Sequence, residues 1–256
     1  MEIIGYPQSW VQLCAKLDMD HKKLPPLGEF RAAGFAAAFI LELVDGKEMS
    51  PQLEAIVRGA QGELELATGL AMFMRNEPGY LIQGIDIPHK GTCVKPDHIL
   101  LHPKMLATIE SKYWRAGQYH PQYKEFLKRL NQQMTDARKA VHVTLYTRTD
   151  ARYKIRVTPI VFNPTGTILK EDLDKAGGVL IRSAQTVDWI ADGIVREGEQ
   201  DYTPEQIEEF KETLARLPAF VPESCRPSGI TTYEDIAGDD FPSWETINSF
   251  PHPTEE

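Results

Sequence analysis

The stretch at 96–114, PDHILLHPKMLATIESKYW, places three ionisable residues around a short apolar hairpin. The segment HPKM at 102–105 predicts its turn, so residues whose numbers add up to 207 face each other across an antiparallel ladder. Asp97 then lies opposite Glu110, and Lys112, two residues along the same strand, points to the same face. The spacing therefore predicts that two carboxylates and one ammonium group meet on one face of a sheet.

Such a group of charges favours a metal site. Two carboxylates that lie this close repel each other, so a partly buried pair needs a cation between them. A ligand set made only of oxygen favours Mg²⁺ or Mn²⁺ over zinc. Lys112 would then orient or activate a water molecule and offset charge on a phosphate in transfer. A surface salt bridge fits the same residues, and a register slip of one residue would send Asp97 to the opposite face.

Charge is unevenly distributed along the chain. The 256 residues carry a net charge of −9, which taken alone argues against a nucleic-acid partner. Residues 88–160, however, hold 14 Lys and Arg against 5 Asp and Glu, a net charge of +9, whereas residues 161–256 carry −13. A basic centre that contains the hairpin favours a nucleic-acid contact, although such a run is also typical of a solvated face.

Cysteine usage and hydropathy exclude several classes of protein. Cys14, Cys93 and Cys225 have neither disulfide nor metal-ligand spacing, and the N-terminus lacks the pattern of a secretory signal. The most apolar window, 32–44, is shorter than the ~20 residues of a membrane span and contains Glu42. We therefore expect a cytoplasmic protein with no membrane partner.

The elements around the hairpin follow from hydrophobic periodicity. The spacing predicts helices over 28–44 and 51–75, the second starting with Ser50 as its cap and interrupted near Gly59 or Gly62. Five strand-like runs follow, namely YLIQGIDI, HILL, MLATIES, VHVTLYT and KIRVTPIVF. The helical segment QYKEFLKRLNQQMTDARKAV separates the third run from the fourth. This order predicts an α/β fold in which helices cover a central mixed β-sheet.

The last third of the chain predicts further elements and an acidic end. GVLIRSAQTVDWIADGIV has the pattern of a short strand and a helix, and YTPEQIEEFKETLARL has the capping-box spacing of a helix start at Thr203. From Pro218 onward the chain is rich in Pro, Ser, Gly and acidic residues. That composition predicts an extended acidic arm.

The ordered set of motifs resembles NERD, the nuclease-related domain of the PD-(D/E)XK nuclease superfamily. PDHILLHPKMLATIESKYWRAGQ is similar to the family's Asp-His strand and Glu-x-Lys strand, GAQGE at 59–63 to its Gly-x-x-Gly-Glu helix, and VTPIVF to a later strand. NQQMTDARKAV is similar to a helix that carries a glutamine, with Gln133 the preferred counterpart and Gln132 the alternative. The family's usual Asn-Pro is replaced here by RLNQQ. The resemblance covers roughly residues 51–195.

The resemblance implies a restriction-endonuclease-like core at 51–195 and does not explain the two ends of the chain. Periodicity and composition predict a helical N-terminal extension at 1–50 and an acidic C-terminal helix and arm at 196–256. The resemblance also implies a Mg²⁺- or Mn²⁺-dependent nuclease, a hydrolase of phosphodiester bonds with DNA as the expected substrate. RNA, self-association and a protein partner for the acidic arm are left open. The alternative is a catalytically inactive nuclease-fold protein that binds nucleic acid or takes part in a protein assembly.

The expected catalytic and metal-binding residues combine the hairpin with the resemblance. Asp97 and Glu110 would bind the metal, and the resemblance adds the backbone carbonyl of Ser111. Lys112 would position the attacking water. By the same resemblance Gln133 would orient the lysine or a phosphate.

Glu63, which by the resemblance completes the metal site, can also be judged from its helix. At helical spacing it shares a stripe with apolar residues, namely Leu66, Ala67, Leu70 and Met74. A carboxylate on this stripe should face the core, where it needs a partner. Exposure at a break near Gly62 is the alternative. The residues expected to contact nucleic acid are basic or aromatic and lie in the basic centre: Lys95, Tyr113, Trp114, Arg115, Lys124, Lys128 and Arg129.

Overall fold

A computed structural model describes residues 1–23, 35–74, 76–89, 92–112, 118–149, 155–174, 178–182 and 202–220. The helices in these ranges are α1 (Gln8–Leu17), α2 (Phe35–Leu43), α3 (Pro51–Phe73), α4 (Tyr123–Arg148), α5 (Lys170–Asp174) and α6 (Pro204–Ala215). The strands are β1 (Glu2–Ile4), β2 (Tyr80–Gln83), β3 (Ile87–His89), β4 (Thr92–Val94), β5 (His98–His102), β6 (Met105–Ser111), β7 (Val157–Phe162) and β8 (Val179–Ile181). A single 3₁₀ turn at His21–Lys23 follows α1.

Six of the described strands form one mixed sheet in the order β1-β2-β5-β6-β7-β8. β1 is parallel to β2, β5 is antiparallel to both β2 and β6, and β6, β7 and β8 are parallel to one another. The carboxyl ends of five strands therefore meet the amino end of β5 at one edge of the sheet. This arrangement, with helices on both faces, confirms the predicted α/β fold with a restriction-endonuclease-like core.

The hairpin of β5 and β6 has the predicted register. His98 pairs with Ile109 and His102 pairs with Met105, so opposed residue numbers add up to 207, and the turn lies at Pro103 and Lys104. Every residue of both strands is buried, because the two strands occupy the centre of the sheet. This position explains their nearly continuous apolar sequence.

Helices pack on both faces of the sheet. One face is covered by an apolar stripe of α3, made of Leu66, Ala67, Leu70 and Met74. The other face is covered by α4 and α6, whose buried side chains include Ala140, Val141, Leu145, Phe210 and Leu214. Full burial of a large apolar side chain contributes about 1.5–3 kcal/mol, so these stripes hold the helices to the sheet.

Two segments differ from their predicted structure. VHVTLYT, predicted as a strand, is the last part of α4, and the prediction is wrong because Val141, Thr144 and Leu145 continue the buried face of that helix at helical spacing. α3 is continuous and is not interrupted at Gly59 or Gly62. Packing of one helix face against neighbouring elements outweighs the small cost of each glycine there.

Both ends of the described chain contribute to the folded core. The segment 1–50 is predicted as a helical extension, but it also supplies β1 to the central sheet, and α1 packs on α3. α6 begins with the predicted capping box, in which Thr203 and Gln206 exchange hydrogen bonds. The helix predicted at the end of GVLIRSAQTVDWIADGIV lies outside the described residues, as do residues 221–256 of the acidic arm predicted from Pro218 onward. No helix in the described ranges has the length and apolar character that crossing a bilayer requires.

Candidate active site

Three ionisable side chains converge where β5 begins and β6 ends. Lys112 Nζ donates to Glu110 Oε2 at 2.9 Å and to Asp97 Oδ2 at 3.4 Å. The side chains of Asp97, Glu110 and Lys112 are 13%, 5% and 21% exposed. The three side chains therefore meet as the spacing predicts, and the ion pairs between them are largely buried rather than on the surface.

The backbone of the sheet fixes these side chains. Asp97 immediately precedes β5, and its Oδ2 accepts a hydrogen bond from Ser111 N at 2.7 Å, so the carboxylate extends the ladder beyond the end of the strand. Lys112 follows β6, and its N donates to the carbonyl of Phe162 in β7 at 2.8 Å. The three side chains are thus anchored to strands β5, β6 and β7 rather than to a loop.

Asn163, which the sequence reasoning missed, anchors the lysine from the end of β7. Its Nδ2 donates to the carbonyl of Lys112 at 2.7 Å and to Thr165 Oγ1 at 2.8 Å. Its Oδ1 accepts from Ile168 N at 3.0 Å, and the residue is fully buried. Its position directly after VTPIVF, at the edge of the sheet that carries the site, is the signal that would have identified it.

Glu63 is buried and held by the first turn of α1. It is only 3% exposed, so its predicted core-facing position is confirmed and exposure at a helix break is excluded. Ser9 Oγ donates to Glu63 Oε1 at 2.5 Å, and Ser9 N donates to Oε2 at 3.0 Å. Ser9 was not found from the sequence, since 54 residues separate it from Glu63.

The environment of the site alters the charge of its members. Burial raises the pKa of Glu63 to about 8, and the charge of Asp97 adds to this rise. Burial also raises the pKa of Glu110 to about 7, although Lys112 counteracts it. Burial alone would lower the pKa of Lys112, but Asp97 and Glu110 raise it above its usual value. The lysine is therefore an ammonium group that pairs with Asp97 and Glu110.

The donor set fits a hard divalent cation. Asp97 and Glu110 each place a carboxylate oxygen within 3.4 Å of Lys112 Nζ, and proteins commonly bind Mg²⁺ through one or two carboxylates plus water and substrate phosphate. Among the described residues, no group of three or more His, Cys, Asp or Glu side chains is placed to hold a metal ion. Asp97 and Glu110 stay the predicted ligands of Mg²⁺ or Mn²⁺, and Glu63 and the Ser111 carbonyl stay predicted further ligands.

Gln133 does not reach this group of charges. Both Gln133 and its alternative Gln132 are exposed on α4, and Gln132 Nε2 donates to Asp136 Oδ2 at 2.7 Å. No contact in the described part of the chain joins Gln133 to Lys112. The helix turns Leu130 and Met134 inward, which leaves the two glutamines on its solvent side. The expected role of Gln133 in orienting the lysine or a phosphate stays a prediction.

Several predicted nucleic-acid contacts lie on the exposed side of α4. Lys124 and Lys128 are exposed one helical turn apart, and Arg129 Nε pairs with Glu125 Oε1 at 3.1 Å. Tyr119, just before the helix, is 91% exposed. Exposed aromatic rings suit stacking on bases, and exposed lysines suit neutralising phosphates.

The remaining predicted contacts divide into two groups. Lys95 is half-buried, and its Nζ lies 5.1 Å from the centroid of the Phe220 ring, in cation–π geometry. Tyr113, Trp114 and Arg115 lie outside the described residues. Their predicted contacts with nucleic acid stay predictions.

Comparison with protein families identifies the centre of the chain. A family model described as the nuclease-related domain, NERD, matches residues 58–164, which include Glu63, Asp97, Glu110 and Lys112. Residues 58–164 of this chain thus match the nuclease-related domain. The nuclease-related domain belongs to the PD-(D/E)XK-like nuclease superfamily, so the resemblance seen in the sequence is confirmed. Comparisons with curated proteins and with solved structures gave no match.

Proposed function

We propose that the nuclease-related domain of this chain is a Mg²⁺- or Mn²⁺-dependent nuclease that hydrolyses phosphodiester bonds in DNA in the cytoplasm. The observation that supports this proposal most directly is the pairing of Lys112 Nζ with both Asp97 and Glu110. It places a fixed hydrogen-bond donor between two carboxylates at the edge of the sheet.

Each member of the group has a distinct role in the proposed reaction. Asp97 and Glu110 would hold the cation, and bound Mg²⁺ supplies Lewis-acid polarisation of the phosphate oxygens. Lys112 stays protonated, so its Nζ would orient a water molecule for in-line attack on phosphorus or donate to a phosphate oxygen. Removing one such pre-organised donor typically lowers kcat by about 100- to 1000-fold.

The proposed substrate follows from charge and exposure rather than from base-reading side chains. Lys124 and Lys128 are exposed within a segment of net charge +9 at 88–160, and contacts with phosphates fix the position of a nucleic acid without reading its sequence. We therefore expect cleavage with little base specificity.

Cleavage by the purified full chain tests the proposal. Supercoiled plasmid, single-stranded DNA and RNA are each incubated with the protein and Mg²⁺ or Mn²⁺, with EDTA as one control and Lys112→Ala as another. Lys104→Ala is the matched control, because Lys104 is an exposed lysine in the turn of the same hairpin. We expect DNA cleavage that EDTA and Lys112→Ala abolish and that Lys104→Ala leaves unchanged. Equal cleavage by the wild type and Lys112→Ala would contradict the proposal, and cutting of RNA alone would change the substrate.

A specific observation favours the second candidate, a catalytically inactive nuclease-fold protein that binds nucleic acid or joins an assembly. Residues 161–256 carry a net charge of −13, and such an acidic segment would occupy the basic segment at 88–160 as a phosphate mimic or recruit a basic partner. Absence of cleavage with either metal, together with DNA binding that is the same in the wild type and Lys112→Ala, would support this candidate.

A further inference from the structure

We infer that Ser9 is a positioning residue for Glu63, and that the first elements of the chain, β1 and α1, complete the active site of the nuclease-related domain. This inference rests on the proposed nuclease function and assigns to it a residue outside the matched range 58–164. The contacts that support it come from two sides of the site.

The first contact fixes the plane of the Glu63 carboxylate. Ser9 Oγ–H and Ser9 N–H reach the two different oxygens of Glu63, at 2.5 and 3.0 Å. The terminal torsion of a glutamate side chain has broad preferences of its own. Two hydrogen bonds from one rigid helix turn remove this freedom and leave the other lone pairs of both oxygens in a defined direction.

The second contact joins the same helix turn to the strand that carries Asp97. Gln8, the neighbour of Ser9, is buried, and its Nε2 donates to the carbonyl of Pro96 at 3.3 Å. The first turn of α1 therefore touches Glu63 on one side and the residue before Asp97 on the other. A segment that merely covered the domain would not need both contacts.

Two glycines let the chain pass close to the sheet edge before α1 begins. Gly5, which follows β1, and Gly84, which follows β2, both have positive φ angles, of 81° and 67°. A Cβ at Gly84 would lie 2.2 Å from the carbonyl oxygen of Tyr6, so this close passage needs glycine. The chain can then turn directly from the sheet edge into α1.

Gly59 provides the same clearance on α3. A Cβ there would lie 2.4 Å from Ser9 Oγ, so only glycine lets the serine reach Glu63, which follows one helical turn later. The first glycine of the Gly-x-x-Gly-Glu pattern thus makes room for the serine that binds the glutamate of the same pattern. Gly59→Ala should move Ser9 Oγ away from Glu63 without replacing either residue.

A double-mutant cycle tests whether Ser9 acts through Glu63. The full-length wild type, Ser9→Ala, Glu63→Gln and the double variant are compared by kcat and KM on DNA and by calorimetric titration with Mg²⁺ alone. Residues that orient a metal ligand typically contribute about 10- to 100-fold to metal affinity or activity. We expect Ser9→Ala to weaken Mg²⁺ binding and lower kcat by about this factor, with KM for DNA unchanged. In the Glu63→Gln background, Ser9→Ala should have no further effect.

Two further variants separate positioning from stability. Ser50→Ala is the matched control, because Ser50 Oγ caps α3 by accepting from Leu53 N, away from the site. It should lower thermal stability and leave Mg²⁺ binding at the wild-type value. Gly59→Ala should reproduce the effect of Ser9→Ala on Mg²⁺ binding.

The outcomes distinguish the inference from the proposed function. If the wild type cleaves DNA and binds Mg²⁺, and Ser9→Ala changes neither property, the inference is overturned and the proposed function is not. The inference would also be overturned if Ser50→Ala lost as much Mg²⁺ binding as Ser9→Ala, or if the losses of the two single variants added up in the double variant. A wild type that neither cleaves DNA nor binds Mg²⁺ would overturn both.

Discussion

Replacing Lys112 by methionine should separate the two properties that the lysine combines. Lys112→Met keeps the volume of the side chain but leaves Asp97 and Glu110 without their ammonium partner. Cleavage should be lost because the donor is gone. Mg²⁺ should nevertheless bind more tightly, because the positive charge that repels it has been removed.

The expected loss of stability follows from the burial of the two ion pairs. Removing one partner of a fully buried pair costs about 3–5 kcal/mol. Lys112 is 21% exposed, so water screens part of the interaction, and we expect about 2–3 kcal/mol at pH 8 without metal. The cost should be smaller at pH 5.5. The pKa of Glu110 is already raised to about 7 and rises further without the lysine, so this carboxyl is then protonated and needs no partner.

Urea denaturation of the wild type, Lys112→Met and the matched control Lys104→Met checks these values at both pH values. Mg²⁺ should restore most of the stability that Lys112→Met loses, since a ligand that binds the folded state stabilises it. Lys104→Met should match the wild type throughout. A loss that is equal at pH 5.5 and pH 8, and that Mg²⁺ does not reverse, would refute a charge-coupled cation site at these residues.

Three other perturbations test separate parts of the account. Glu63→Gln should flatten the dependence of the free energy of unfolding on pH, measured by urea denaturation without metal. Because the pKa of Glu63 is raised to about 8 in the folded state, its contribution to stability is complete below about pH 4.5 and is lost as the pH rises through 8. A steeper dependence on pH in the variant would contradict this. Asn163→Ala should cost about 2–4 kcal/mol, because it leaves the partly buried carbonyl of Lys112 and the buried N–H of Ile168 unpaired, and unchanged stability would show that these bonds are dispensable. Replacing Lys124 and Lys128 by alanine should lower DNA affinity and reduce the salt dependence of log K by about two, with kcat unchanged; an unaltered salt slope would place the DNA elsewhere.

The hairpin could be predicted because its geometry is local. A two-residue turn and the two-residue repeat of a strand fix which side chains share a face, so Asp97, Glu110 and Lys112 followed from their numbers alone. The burial of Glu63 was predictable for the same reason, since helical spacing placed it on the stripe that faces the sheet.

Contacts between distant parts of the chain were not predictable in this way. Ser9 and Glu63 meet because β1 joins the sheet. That strand has only three residues, which is too few to show the alternation of polar and apolar residues that predicts a strand. VHVTLYT favours a strand by its β-branched residues, yet it completes α4 because tertiary packing outweighs local propensity. Gln133 was assigned from a motif, and the orientation of α4 turns it to solvent.

The position of a bound cation tests the central claim most directly. A crystal of the full chain soaked with Mn²⁺ should give an anomalous-difference peak between Asp97 and Glu110, within about 2.0–2.3 Å of a carboxylate oxygen of each, with Lys112 Nζ displaced from its present position. A map in which Mn²⁺ is absent from this place, or lies elsewhere while Lys112 still joins both carboxylates, would contradict the account.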